Sequence, residues 1–241
     1  MRLKFSLKAC SIRVPGISCP KELINYSLGS FAELFLSSDP ASIKCSYLPK
    51  MQARRLKLGS RAAADVASEL LKHNPKFCVF SSRHGELERC YNILYALSKH
   101  EDTSPTDFAM SVHNAAAGSF TIVNKAKIPC SSVSSEQDTF FQGLTEAVSA
   151  FVDHEKVLFV DFEGKIPQIF KSKFDCRFDV PYAAGFVLGP GSQFTLEEVD
   201  PLDDEDVLLP LSLQFAYGLL NNKKHFTFHA HKRNFLLSRT S

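Results

Sequence analysis

Three short runs, Phe77–Ser82 (FCVFSS), Lys156–Glu163 (KVLFVDFE) and Ala183–Leu188 (AAGFVL), are apolar on successive residues rather than on alternate ones. A strand that is apolar on both faces must be covered on both, so each run belongs to a sheet lying between other layers. Between the runs, apolar residues recur at three- and four-residue intervals, the period of a helix. Lys50–Lys72 is the clearest case. There Leu56, Ala63, Val66, Ala67 and Leu70 share a face, Pro49 stands where a helix can begin, and Asn74-Pro75 closes it. Arg83-His84-Gly85 turns into a second helix at Glu86–Lys99, with Glu86 favourable at its N-terminal end. Leu3–Val14 reads as a strand ending at the turn Pro15-Gly16, and Phe31–Leu36 as a short helix. Helices alternating with buried strands predict a layered α/β fold around a mixed sheet.

The chain has 241 residues, 44% of them hydrophobic, enough for one domain or one domain with an extension. A net charge of +2 gives no bulk field for nucleic acid or a membrane surface. In MRLKFSLKACSIRV basic and apolar residues alternate, which reads as a strand rather than a leader peptide. No apolar run approaches the length of a bilayer crossing. The seven cysteines (10, 19, 45, 78, 90, 130, 176) include no C-x-x-C pair. That usage predicts reduced thiols and a cytoplasmic protein.

The stretch from Pro105 to Glu146 carries the functional signal. It reads as an apolar helix containing Asn114 and Gly118, a short β-type run at Ser131–Ser135, and a helix carrying Glu146. A sharp strand-to-helix turn is the geometry that holds an attacking side chain outward.

Four further segments complete a pattern: LPKMQARRLKLGSRAAADVASELL, FCVFSSRHGELERC, FFQGLTEAVSAF followed by KVLFVDFE, and FDVPYAAGFVLGPGSQFTLEE. In this order they resemble the β-ketoacyl synthase branch of the thiolase-like families. The resemblance covers residues 1–198. It implies the N-terminal half of the ketosynthase fold, with a layered mixed sheet, then an acidic loop and a short C-terminal extension over 199–241. In that family a cysteine occupies the turn. Here the residue nineteen positions after Gly118 is Gln137, and an amide cannot act as a thiolate. The family's assisting histidines and lysine lie well downstream of the GFV segment, where this chain has no counterpart to them. Pro190, Ser192 and Gln193 also replace the family's usual residues.

This profile is similar to that of chain length factors, inactive ketosynthase paralogues that pair with an active ketosynthase and shape its acyl tunnel. RHGEL and VHNAAAG resemble the short forms from bacterial aryl polyene clusters. The resemblance implies a heterodimer joined through Ser131, Ser132, Val133, Ser134 and Ser135. It implies a tunnel wall containing Phe108, Met110, Val112 and Asn114, and contact with an acyl carrier protein at Arg54 and Arg55. It implies no cofactor, no metal, no nucleic acid and no membrane.

Other readings stand beside these. Gln137 also fits an ordinary helix start capped by Ser135 or Asp138. Cys130 is the nearest thiol, and a stand-alone acyl-transfer enzyme would use it. A homodimeric acyl-binding scaffold would need no ketosynthase. His225, His229 and His231 share one face of a strand, yet their spacing spreads them too far for one zinc ion. Lys50, Arg54, Arg55, Lys57 and Arg61 form a basic helix face that solvent alone would satisfy, and Glu197–Asp206 reads as a solvated loop.

Overall fold

A computed structural model describes residues 2–17, 19–172, 179–200, 209–230 and 233–240. Its elements in chain order are β1 (Arg2–Arg13), α1 (Leu28–Ser37), α2 (Lys50–Arg55), α3 (Leu58–Leu70), β2 (Phe77–Ser81), α4 (Leu87–Ser98), α5 (Pro105–Met110) and α6 (Ala115–Asn124). There follow β3 (Cys130–Val133), α7 (Thr139–Ser149), β4 (Val157–Glu163), β5 (Tyr182–Val199), α8 (Leu211–Leu220), β6 (His225–Ala230) and β7 (Arg233–Arg239).

All seven strands form one mixed sheet. β2 lies between β3 and β4, parallel to both, and β3 ends the sheet. The 18-residue β5 is the spine. β1 runs antiparallel along one side of it, while β4 takes the first part of the other side and β7 the last. The β6–β7 hairpin therefore continues the sheet where β4 stops.

The doubly apolar strands are covered on both faces, as their composition requires. On β4, Val157 and Phe159 face a phenylalanine-rich layer with Phe31, Phe35, Phe140, Phe141 and Phe215 from α1, α7 and α8. Leu158, Val160 and Phe162 face an alanine-rich layer from α3 and α6. Small residues let α3 approach closely. A Cβ on Gly185 of β5 would stand 2.2 Å from Val66 Cγ1, so only glycine fits beneath that helix. Across the sheet, a Cβ on Gly143 of α7 would stand 2.8 Å from both Phe159 and Ser81.

Three sequence expectations change. The single helix over Lys50–Lys72 is two, because Leu56 (φ −98°, ψ 140°) and Lys57 are extended between α2 and α3. Half-buried Ala53 of α2, buried Leu56 at the break and the inner face of α3 all meet one layer, so the periodicity runs across the break unmarked. The break coincides with a close approach: a Cβ on Gly59 would stand 2.5 Å from the Glu163 carbonyl. Asn74 does close this region, in the left-handed conformation. Next, the helix expected to contain Asn114 begins after it, with α5 and α6 separate and Asn114 at the N-terminal boundary of α6. Finally, Glu197–Val199 belong to β5 rather than to a loop, and Glu197 pairs with Arg2 at 2.7 Å. Residues 201–206 of that acidic stretch lie outside the described residues.

The C-terminal residues are not peripheral. α8 is buried over nearly its whole length, and Phe215 meets Phe5, Phe140 and Phe186 at ring-centroid distances of 5.1–5.7 Å. α8 thus closes the phenylalanine-rich layer together with Phe226 and Phe235 of the hairpin.

Candidate functional site

The strand-to-helix turn lies at the C-terminal end of β3, at the edge of the sheet. Ser135 has left the strand conformation (φ −153°, ψ 50°), Glu136 is left-handed (φ 47°), and Glu136–Asp138 form a 3-10 turn that runs into α7. A glutamate with positive φ is held there by its surroundings. Thr139 does this directly: its Oγ1 accepts from Ser135 N–H at 2.9 Å and donates to the Glu136 carbonyl at 2.7 Å. The sharp turn expected from the sequence is present, and its strained residue is Glu136, one position before Gln137. Gln137 is half-buried beside it. No thiol occupies the turn. Neither Ser135 nor Asp138 caps α7 through its side chain, which removes the simple capping account of this segment.

Beside the turn, the C-terminal ends of β2 and β4 carry a polar cluster that sequence reasoning missed. Asp161 accepts from Ser81 Oγ at 2.6 Å and from Tyr182 OH at 3.1 Å. Glu163 accepts from the backbone N–H of Arg83, from that of His84 at 3.3 Å and from Ser82 Oγ at 3.2 Å. Burial, reinforced by the Asp161 charge, pushes the Glu163 carboxyl up to about 8 against those donors. Burial, then the Arg83 charge, brings His84 down to about 4. His113 Nε2 meets the Ser82 carbonyl at 2.8 Å, and Ser134 Oγ donates to the Arg83 carbonyl at 3.2 Å. The cluster therefore ties the loop after β2 to the turn after β3. The signal for it was Asp161 and Glu163 standing inside an otherwise apolar strand.

A second device positions α5. Arg89, buried on α4, donates through Nε to Glu86 at 2.8 Å, through a terminal nitrogen to Asp107, and through the other to the Arg55 carbonyl. Glu86 also accepts from Ser60. One guanidinium thus holds α2, α4 and α5 in register. On α5 and just beyond it, Phe108 is 70% exposed, Val112 48% exposed, and Asn114 exposed. Met110 instead turns inward to the alanine-rich layer. Of the residues expected on one tunnel wall, α5 thus sends Phe108 outward and Met110 inward, and Val112, past the helix end, is exposed as well. Leu94, Tyr95 and Leu97 on α4, the helix packed against α5, are exposed too.

Arg54 and Arg55 are exposed on α2 and line a cleft of about 960 Å³ with Lys57, Arg61, Lys165 and Lys171. The expected basic face of one helix is divided between α2 and α3, and Lys57 is paired with Glu88 at 2.8 Å. Cys130 is exposed at the start of β3 rather than on the turn. His225 contacts Ser238 Oγ at 3.0 Å, while the His229 side chain and His231 lie outside the described residues. Among the described residues no group of three metal-ligating side chains converges. No described helix is long and apolar enough to cross a membrane. Of the three positions where the GFV segment departs from its family, Gln193 makes a visible contact. Its Oε1 accepts from Leu7 N–H at 3.0 Å, where β1 bulges.

A mixed sheet between helical layers, with a strained strand-to-helix turn at its edge strand, defines a thiolase-like ketosynthase fold. The family model for the β-ketoacyl synthase N-terminal domain matches residues 31–236, beyond the 1–198 expected from the sequence, and the chain belongs to that family. It is similar, at 38% identity and a TM-score of 0.86, to a chain from the complex of the ketosynthase ApeO with its chain length factor ApeC from Xenorhabdus doucetiae. That match covers 98% of this chain and 100% of the other. The fold is shared with the ishigamide ketosynthase/chain length factor (15% identity, TM-score 0.61, 84% of this chain and 68% of the other). It is shared too with a β-ketoacyl synthase from Burkholderia phymatum STM815 (13% identity, TM-score 0.58, 78% and 59%). No functionally curated protein matches the sequence.

Proposed function

We propose that this chain is a non-catalytic, chain-length-factor-like subunit that pairs with an active β-ketoacyl-acyl-carrier-protein synthase. The observation that carries the reading is the turn itself: Glu136 holds a strained left-handed conformation there, and the family resemblance puts Gln137, not a cysteine, at the nucleophile's position. The Gln137 amide is not a nucleophile and cannot carry an acyl group between the two halves of a condensation. The 38% identity to a chain of a ketosynthase–chain length factor complex supports the same role.

Among the described residues, β3 contributes Ser131, Ser132 and Val133 to an edge that has β2 on one flank only, and Ser134 and Ser135 continue from it. An unpaired edge is a template for another strand, and a partner strand there would extend one sheet through both subunits. Exposed Phe108 on α5, Val112 just after it, and Leu94 and Leu97 on α4 would give such a contact apolar area. In this arrangement Phe108, Val112 and Asn114 meet the partner's acyl tunnel, with Met110 supporting them from behind. Arg54 and Arg55 offer charge to an acidic carrier protein. The partner performs decarboxylative condensation; this subunit gives shape and stability. The aryl polyene assignment and a cytoplasmic location belong to the same proposal.

The test is co-expression with the candidate ketosynthase, tagging only this chain, followed by size-exclusion chromatography and intact-mass analysis after acyl-carrier loading. Co-elution with the acyl mass on the ketosynthase alone supports the proposal. An acyl adduct on this chain overturns it and makes Cys130 the first residue to mutate.

A further inference from the structure

Cys78 and Cys130 are far apart in sequence but face each other directly across the parallel β2–β3 ladder. Neighbouring strands lie about 4.8 Å apart, so paired residues fall within the Cα separations that a disulfide spans, and both side chains leave the sheet on one face. Both thiols are free. Their settings differ sharply. Cys78 is fully buried in the alanine-rich layer, whereas Cys130 sits exposed on the edge strand. That is the division of labour of a reactive thiol and the thiol that resolves it.

We propose that Cys78 and Cys130 form a peroxide-responsive thiol pair, in which Cys130 is oxidised first and Cys78 closes an intrachain disulfide. The Cys130 thiolate attacks one peroxide oxygen, the O–O bond breaks, and Cys130 becomes a sulfenic acid while hydroxide leaves. The Cys78 sulfur then attacks the sulfenic sulfur, the S–O bond breaks, and water leaves with the Cys78 proton. The balance is two thiols and one hydrogen peroxide to one disulfide and two waters, with an external dithiol as the reductant that resets the pair.

The local chemistry favours this order. The neighbouring Cys78 thiol lowers Cys130 below the ordinary thiol value, a larger effect than the partial burial that raises it. Cys78 is raised, first by Cys130 and then by burial, and so keeps its proton until it is needed. The half-buried thiols elsewhere lack this arrangement. Burial pushes Cys10 up to about 12 and Cys45 to about 11. Exposed Cys19 provides a control, an accessible thiol outside the ladder.

The reduced full-length chain is treated with hydrogen peroxide, its remaining thiols are blocked with N-ethylmaleimide, and the peptides are mapped by mass spectrometry. The expected product is a Cys78–Cys130 linked peptide that forms ahead of any change at Cys19 and disappears with dithiothreitol. In Cys78→Ser, oxidation stops at a Cys130 sulfenic acid that dimedone traps; in Cys130→Ser, Cys78 stays reduced. Cys130 is exposed, so that variant keeps its fold, and with the wild-type map it decides the matter even if Cys78→Ser does not fold. The proposal is overturned if Cys78 and Cys130 both remain alkylatable while Cys19 oxidises, or if Cys130 links two chains instead.

Discussion

The two ends of the sheet solve the same problem in opposite ways. Beyond β5, the chain closes on itself: α8 is buried along nearly its whole length, and the β6–β7 hairpin continues the ladder that β4 leaves. At β3 it does not. That strand has no fully buried residue, and on α4 only Arg89 is buried. One end is held by aromatic packing, the other by polar ties and one guanidinium. A surface held that way keeps its shape without hiding its apolar side chains, which is what a docking face requires.

The contrast can be broken at either end. The largest effect belongs to the closed end, where Phe215→Ala should cost about 4 kcal/mol of unfolding free energy, read from denaturant titration, because its neighbours collapse only partly. A loss under half of that would mean that α8 is an addition rather than part of the core. Next, Arg89→Ala should cost about 3 kcal/mol by leaving buried Glu86 without its cation. Its particular signature is fast hydrogen exchange over α5, since the Asp107 tie goes with it. Unchanged exchange there would show that α5 is positioned by something else.

The pH profile probes the polar cluster near the turn. Glu163 titrates at about 8 in the folded chain and 4.5 ordinarily, so its stabilising contribution is complete below 4.5 and is lost as pH rises through 8. His84 runs the other way, from 6.5 down to about 4, and its contribution is lost as pH falls through that window. Thermal unfolding across this range should therefore show highest stability between the two limbs. Glu163→Gln should flatten the alkaline limb and leave the acid limb in place. The smallest effect on stability belongs to the open end, where Phe108→Asp should stay within about 0.5 kcal/mol of the parent. The same change should weaken ketosynthase retention about tenfold in a tagged pull-down, since an interface anchor is lost. Bound ketosynthase should also slow alkylation of Cys130; an unchanged rate would argue against docking at β3.

Much of the fold was legible because its rules are local. Doubly apolar runs named the buried strands, three- and four-residue spacing named the helices, and Pro and Gly marked turns such as Gly16, which takes φ +76°. The absence of a cysteine at the turn was likewise a matter of reading residues in order. Errors came where periodicity is blind to direction. Leu56 keeps the helical pattern while breaking the helix, and Phe108 and Met110, both expected on one tunnel wall, are sent outward and inward by α5.

The sequence by itself determined the fold class and the family resemblance, and it set the expectation of an amide at Gln137 in place of a thiol, since each depends on residue type and order. Only the tertiary structure decided that Glu136 carries the strained backbone, that Arg89 joins three helices, that α8, β6 and β7 complete the core, and that Cys78 faces Cys130. Those relations join residues distant along the chain, and sheet register and helix packing set which of them meet.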